Sequence, residues 1–573
     1  MAGIRPRFPI GISDFRRVRE EGYVYVDKTG LIQDILEAGA AVMLVPRPRR
    51  FGKTINLSML RCFFEKSPED LGRLFAGLGV AGSEVARPHF QRYPVVFLTL
   101  KDVKETSWER CLAEIARQMA KLFGEHREVL ESGGLLPEEV QSFSAVLDGT
   151  ATSTQLRSAL ADLSGYLAKH RGEQVVVLLD EYDTPIHAAF NHGYDDEAVA
   201  FFRGLLSGAF KDNRHLFKGV ITGILRVAKE SIFSGLNNLA VYSFLRPELS
   251  RCFGFTEHEV AKLCVDVGQP ELLEGLRGWY NGYLFAGQVI YNPWSVLNVL
   301  DSEDKALRPY WVATSSDDLI RDLLLARGAD VHDGMEALLR GEEVEQPIEE
   351  TLVLRDLDRS PEAVWSLLLF SGYLKVTAQR WTDRRLWCRL AIPNEEVLSL
   401  YETVFRRWLE HGLGSAGKAQ ALARALLAGD GETFEELLEE LMLRALSFHD
   451  TAGGTAGQAT ERVYQAFILG LLVHLEGEYL VRSNRESGLG RYDVLIAPRA
   501  PGRPGAVLEL KVPRARRGET AEQALEAALR QIRKQRYSEE LRALGARPIR
   551  EVGVVFDGKR VWTRFQEGEE SGS

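Results

Sequence analysis

Five cysteines in 573 residues, none in a CxxC pair, leave the chain without the material for a disulfide framework or a cysteine zinc site. Cys62, Cys111, Cys252, Cys264 and Cys388 are scattered and read as reduced, mostly core thiols. Long hydrophobic runs are missing too. The most apolar stretch, AFILGLLVHL at 466–475, is too short to span a bilayer, and the opening MAGIRPRFPIGISDF has no apolar signal core. A cytoplasmic protein with no membrane partner is therefore expected. Positive charge is not in excess: a net charge of −10 excludes a uniformly basic nucleic-acid coat protein but leaves room for a local basic face.

What is present is bulk and alternation. At 45% hydrophobic residues the chain has material for about two to four domains, because single cores rarely grow past about 250–300 residues. Apolar strand patterns at 41–45, 93–100, 174–180 and 218–224 alternate with helical patterns at 28–38, 55–64, 107–123 and 154–169. Fully apolar strands between helices predict a parallel sheet covered on both faces. Beyond residue 240 strand patterns thin out and Trp- and Tyr-rich segments such as GWYNGYLF and YNPWSVL enter a more helical stretch. After the Gly-rich joint at 449–464, a helix at 461–476, strands at 479–484, 491–497 and 505–512, a helix at 519–535 and a strand at 551–556 form a last α/β unit. The expected fold class is thus α/β in three parts: a parallel-sheet domain over 1–240, a mainly helical lid or connecting region over 241–450, and a smaller α/β domain over 451–573.

The stretch VMLVPRPRRFGKTINLSML, Val42 to Leu60, ends like a phosphate loop but carries Arg47 where the generic pattern has its first glycine. Gly52, Lys53 and Thr54 still supply a close backbone approach, an ammonium for β/γ phosphates and a hydroxyl for Mg²⁺. A coincidental GKT at a strand-turn-helix is the bland alternative. VVVLLDEYD weakens it: Asp180 falls at a strand tip, suited to the Mg²⁺ shell, with Glu181 beside it to orient water. A third strand, KGVITGILR, ends in Thr222 and Arg226, which suit a sensor of the γ-phosphate; Arg226 reads equally well as a solvated arginine.

In the last unit, GRYDVLIAP and GAVLELKV put Asp493 on one strand and Glu509 and Lys511 on the next. Residues two apart on a strand share a face, so Glu509 and Lys511 align and Asp493 reaches them from the neighbouring hairpin strand. Two carboxylates and a lysine are the minimum set for Mg²⁺- or Mn²⁺-assisted phosphodiester hydrolysis. A surface Glu-Leu-Lys on an amphipathic hairpin is the alternative, against which Asp493 sits among the apolar VLI. The helix that follows carries Gln531, and Glu461 on the preceding helix reads as a third acid or, more simply, as a surface glutamate. Residues 491–573 hold roughly five more Lys/Arg than Asp/Glu, as a surface tracking a nucleic-acid backbone needs. An ordinary solvated helix and loop bearing Arg514, Arg516, Arg517, Arg530, Arg533, Lys534 and Arg536 would show the same excess.

Taken together, FPIGISDFRRV, YVDKT, PRPRRFGKTINLSML, LLDEYDTPI, ITGILRVAKESIFSGLNNL, FGFTEHEV, WYNGYLF, YNPWSV and AIPNEEV resemble the uncharacterised prokaryotic AAA-ATPase-like proteins with a C-terminal PD-(D/E)XK nuclease-like domain. The resemblance runs over most of the chain. It implies a phosphate loop through Arg50, Phe51, Gly52, Lys53 and Thr54, in a family whose loop commonly reads Arg-Pro-Arg-Arg-Phe-Gly-Lys. Arg47 then departs from the generic pattern only. For Arg47, Arg49 and Arg50 three fates stay open: contact with phosphate, pairing with Asp183, or solvent. The resemblance also implies that Gln531 lies beside the metal carboxylates, with Tyr492-Asp493 in place of Pro-Asp.

These expectations describe an enzyme that binds and hydrolyses ATP through Arg50, Phe51, Gly52, Lys53, Thr54, Asp180 and Arg226, with Glu181 catalytic and Mg²⁺ at Thr54 and Asp180. Asp493 and Glu509 would hold a second Mg²⁺ or Mn²⁺, and with Lys511 and Gln531 cleave DNA or RNA under control of the nucleotide. The alternative is a nucleotide-dependent switch whose last domain binds without cutting. No arginine finger can be named, and the oligomeric state is left open.

Overall fold

A computed structural model of the chain describes residues 6–225, 232–233, 236–311, 328–339, 341–350, 357, 360–412, 416–445, 464–465, 467–469, 471–472, 475, 478–483, 486–487, 490–513, 519–557 and 560–568. The chain divides into two compact units, Met1–Leu319 with Glu345–Val397, and Ile320–Val344 with Leu398–Ser573.

The first unit is built on a five-stranded parallel sheet of β1 (Val42–Pro46), β2 (Val95–Thr99), β3 (Val175–Asp180), β4 (Leu216–Gly223) and β5 (Leu239–Val241), in the order β2-β3-β4-β1-β5. Every residue of β1 and β3 is buried, as strands covered on both faces must be. Parallel neighbours require crossovers. Helices Trp108–Glu125, Pro137–Leu147 and Ser153–Arg171 link β2 to β3, and Thr184–His192 with Asp195–Phe210 links β3 to β4. Two of these start on side-chain caps, Ser107 accepting from Arg110 N–H and Thr152 from Gln155 N–H in a capping box. The strand order reverses at β1, since the chain runs from β1 to the β2 edge, works back to β4, and then passes beyond β1 to β5. In open parallel sheets the crevice at the carboxyl ends beside such a reversal is the natural ligand site. Val45 pairs with Thr222 and Leu179 with Ile221, which sets the tips of β1, β4 and β3 side by side.

The stretch 241–450, expected to be mainly helical, also carries six strands among its described residues. β6 (Phe255–Thr256), β7 (Tyr283–Phe285) and β8 (Gln288–Tyr291) form one sheet in the order β6-β8-β7. β9 (Val344–Ile348), β10 (Lys375–Thr382) and β11 (Arg385–Ala391) form another in the order β10-β11-β9. Two to four residues per strand in the first sheet are too few to show an alternating pattern. Residues 241–319 and 345–397 of this stretch belong to the unit that contains the parallel sheet.

In the second unit a mixed sheet runs β12 (Tyr479–Ser483), β15 (Val494–Pro498), β16 (Gly505–Lys511), β17 (Ile549–Asp557), β18 (Arg560–Glu567), with a small pair, β13 (Glu486–Ser487) and β14 (Gly490–Arg491), beside it in sequence. Only β16 and β17 are parallel, joined through the helix Ala521–Lys534. That helix buries Leu525, Ala528, Leu529 and Ile532, and lies so near β17 that a Cβ on Gly553 would meet Ala528 Cβ at 3.3 Å. Of the helix expected over 461–476, residues 464–465, 467–469 and 471–472 are helical; Glu461 lies outside the described residues.

Candidate nucleotide and carboxylate sites

The turn from β1 into the helix Lys53–Phe64 is left-handed twice, at Arg50 (φ 68°) and Gly52 (φ 84°). Gly52 meets the need for glycine before the lysine; Arg50 is a costlier occupant of that region. Arg47 does not face phosphate, Asp183 or solvent. It is fully buried, and its guanidinium donates to the carbonyls of Pro46 (2.8 Å), Tyr242 (2.6 Å) and Leu249 (3.3 Å). The rings of Phe253 and Phe285 lie 5.1 and 5.4 Å from its Cζ. Burial pushes its pKa down to about 9, so it stays charged at neutral pH. Arg47 therefore pins the loop from beneath. Phe51, also buried, packs edge-on against Tyr283 at 4.9 Å, and its carbonyl accepts from Gly254 N–H. Arg50 turns the other way, its Cζ 4.1 Å from the Trp294 ring centroid.

The Lys53 side chain is buried and its ammonium donates to the carbonyls of Arg47 and Pro48, both at 3.1 Å. Burial lowers its pKa, against the opposing pull of Glu181, Asp183 and Asp180. Thr54 donates its hydroxyl to Asp180 Oδ2 at 2.8 Å, and Thr222 donates to Asp180 Oδ1 at 2.7 Å, so one fully buried carboxylate joins the tips of three elements. Glu181 follows at φ 51°, with its Oε2 3.4 Å from the Thr184 hydroxyl. Asp183 is committed elsewhere: its Oδ2 accepts the N–H groups of Ile224 (2.7 Å) and Leu225 (3.0 Å) and lies 3.6 Å from His187 Nε2. Burial alone would raise its pKa, but His187 and the two N–H groups hold it below the usual carboxylate value. A carboxylate so occupied is a latch between the β3 and β4 ends rather than a base. Arg226 lies outside the described residues. In front of the loop opens a cavity of about 480 Å³ bordered by Gly52, Lys53, Thr54, Glu181, Trp294 and Tyr25.

In the second unit Asp493 sits in the bend just before β15, not on the strand itself. Val494 pairs with Leu508, so Asp493 comes level with Glu509 one step further along. Its Oδ2 accepts Leu510 N–H at 2.8 Å, and Gln465 donates to its backbone carbonyl at 2.6 Å. Burial raises the Asp493 pKa, offset in part by that N–H and by Lys511. Glu509 is 1% exposed and its Oε1 accepts from Lys511 Nζ at 2.8 Å. Gln531 hydrogen-bonds Tyr537, a buried phenol within electrostatic reach of Glu509, Asp493 and Lys511. Among the described residues no group of three or more His, Cys, Asp or Glu stands close enough to hold a metal ion. The basic helix is not a bare cationic face: Arg530 pairs with Glu526, Arg533 with Glu551 and Arg536 with Glu539. Arg514, Arg516 and Arg517 lie outside the described residues.

Residues 9–233 match the family described as Predicted AAA-ATPase, and residues 459–566 match the PD-(D/E)XK nuclease superfamily. The chain carries both domains. It is also similar to an uncharacterised protein from the vnfD 5′ region of Azotobacter chroococcum mcd 1, 29% identical over 433 residues that cover 74% of this chain and 75% of that one. Among the described residues no helix is long and apolar enough to cross a membrane.

Sequence reasoning missed how the ATPase domain supports its loop. Pro48 packs against Gly372, where a Cβ would come within 2.9 Å, and Arg47 reaches carbonyls 195 and 202 residues away. The motif segments of the middle stretch also find one another. Asn394 donates to Asn281 O, while buried Glu396 accepts from the Ser295 hydroxyl and Trp311 N–H. In the nuclease-superfamily domain Tyr537 and Gln465 were unforeseen, and no short motif marks either.

Proposed function

We propose that the AAA-ATPase domain binds and hydrolyses ATP in the cavity before Gly52–Thr54, and that this turnover gates metal-dependent nucleic-acid cleavage by the PD-(D/E)XK domain. The observation that carries the first half is the Thr54–Asp180–Thr222 hydrogen-bonded set beside the buried Lys53 ammonium. Lys53 is held by two neutral carbonyls, and a phosphate oxygen offers it a stronger, charge-assisted partner. The Gly52–Thr54 backbone at a helix N-terminus suits an anion. Arg50 adds charge at the rim, and Phe51 serves by anchoring the loop. Thr54 and Asp180 are hard oxygen donors that fit Mg²⁺, which when bound would screen the phosphate charge. Glu181 borders the cavity, and in this reading it accepts a proton from water.

In the second domain Asp493 and Glu509 offer oxygen donors that fit Mg²⁺ or Mn²⁺, which would supply an activated water. Lys511 would offset charge on the scissile phosphate, and Gln531 with Tyr537 would orient the carboxylate pair. The alternative, a nucleotide-dependent switch whose last domain binds without cutting, draws support from the ion pairs that occupy Arg530, Arg533 and Arg536.

The deciding experiment incubates the full chain with labelled single- and double-stranded DNA and RNA, with and without ATP and with Mg²⁺ or Mn²⁺. Metal-dependent cleavage that changes with ATP is expected. Lys53→Ala should abolish ATP binding in a calorimetric titration. Parental affinity in that variant removes the nucleotide site, and absence of cleavage under every condition leaves the switch.

A further inference from the structure

Arg47 is occupied beneath the loop, whereas Arg50 is a loop cation that the protein leaves open. The residue is exposed, and among the described residues no carboxylate stands within ion-pair distance of its guanidinium. An aromatic face holds it instead, with Cζ 4.1 Å from the ring centroid of Trp294. That indole is fixed in turn. Trp294 stands in the first turn of the helix Pro293–Asp301, where its backbone N–H donates to the capping side chain of Asn292 at 2.9 Å and its indole Nε1 donates to Tyr310 O at 3.3 Å. The Arg50 backbone is left-handed (φ 68°), a conformation that a residue with a Cβ adopts only at a cost. A strained backbone at one end and an immobilised ring at the other fix where a long, rotamer-rich side chain ends.

That place is the mouth of the cavity. Arg50 and Trp294 border it together with Lys53, Thr54 and Glu181. Burial lowers the Arg50 pKa, and the carboxylate that opposes this is Glu181. In the proposed reading Glu181 accepts a proton from the water that attacks the last phosphate, so a cation that feels Glu181 lies toward that phosphate and away from the base.

We propose that Arg50 distinguishes a nucleoside triphosphate from a diphosphate by meeting the terminal phosphate, and that Trp294 is a positioning residue that holds the guanidinium there. The proposal rests on the nucleotide reading of the cavity and adds to it the group that reads the third phosphate. Arginine suits the task because its planar head keeps one face on the indole while its edge donates to phosphate oxygens, which a lysine ammonium cannot do at once. Trp294 lies beyond residues 9–233, which match the ATPase family, so the third phosphate is felt by a helix outside that match.

The test measures, on the full chain with Mg²⁺, calorimetric affinities for ADP and for the β,γ-imido analogue of ATP, a triphosphate that resists turnover. Their ratio is the readout, because a change in folding or in base contact moves both affinities together. Arg50→Gln should lower the preference for the triphosphate analogue about tenfold and leave ADP affinity at the parental value. Arg50→Lys should fall between the two. Trp294→Ala should lower the preference about threefold, and Trp294→Phe, which keeps an aromatic face, should restore most of it. If Trp294→Ala melts earlier than the parent, Trp294→Leu takes its place, keeping bulk in the first turn without the aromatic face. An unchanged ratio in Arg50→Gln or in the Trp294 variant overturns the proposal, whether both affinities stay parental or both fall together, as they would if the indole held the base. A parent that binds neither nucleotide removes the reading beneath the proposal, a result distinct from two bound nucleotides with an unchanged ratio.

Discussion

Arg47 is the residue whose type and place are hardest to reconcile from sequence. It occupies the position where the generic loop has glycine, yet it is needed for what its side chain does underneath. One planar guanidinium serves three carbonyls from three separate segments, which a lysine point charge cannot span. Arg47→Lys should therefore destabilise the ATPase domain by about 3 kcal/mol, since buried carbonyls lose their donor. An earlier thermal transition checks it; a parental melting curve would mean the carbonyls are satisfied some other way. Asp493 poses the opposite case. Its folded carboxyl titrates above the unfolded one, so stability falls as pH rises from the unfolded value, about 3.9, through the higher folded value. Asp493→Asn keeps an acceptor for Leu510 N–H and removes the charge. The variant should be the more stable at pH 7, with the difference closing below about pH 4 in denaturant titrations across pH. Lys53, Thr54 and Asp180 were legible because each follows an apolar strand in a fixed local pattern. Arg47, Asp183 and Tyr537 were not, because their partners are set by tertiary approach that no local window contains.

At the level of elements, the loop between β1 and the helix Lys53–Phe64 depends on packing from behind. Gly372 has φ 91° and no room for a Cβ against Pro48, whereas Gly193 has φ 73° and nothing within 4 Å. Both Gly→Ala changes incur left-handed strain of about 1–2 kcal/mol. Only Gly372→Ala also pushes on the loop, so it should weaken ATP binding severalfold while Gly193→Ala leaves it at the parental value. Calorimetric titration of the two side by side separates a supporting wall from general strain. The alternation of strands and helices up to residue 224 was legible, because buried parallel strands are apolar along their whole length. The strand order was not, since it depends on which strand edges meet. The small sheets β6–β8 and β9–β11 escaped for other reasons: the first has strands of two to four residues, and β10 lacks a buried face through most of its length.

For the whole molecule the question is whether the two chemistries proposed for the two compact units are coupled. No residue assigned to nucleotide turnover lies in the unit that holds Asp493, Glu509 and Lys511, so the proposed reading makes the two activities separable by mutation. Glu181→Gln preserves shape but removes the carboxylate placed to accept a proton from water, and should bind ATP like the parent while losing turnover. Asp493→Ala should lose metal-dependent cleavage while hydrolysing ATP at the parental rate. Gating adds a demand that mere coexistence does not: in Glu181→Gln the nuclease must be fixed in one state by bound ATP, so that cleavage no longer differs between brief and prolonged incubation with nucleotide. A cleavage rate in Glu181→Gln that still follows the parental course with ATP would leave two independent enzymes on one chain. If Asp493→Ala also stopped ATP hydrolysis, with nucleotide affinity and melting unchanged, Asp493 would have to be assigned to turnover itself and the division of labour between the units would fall.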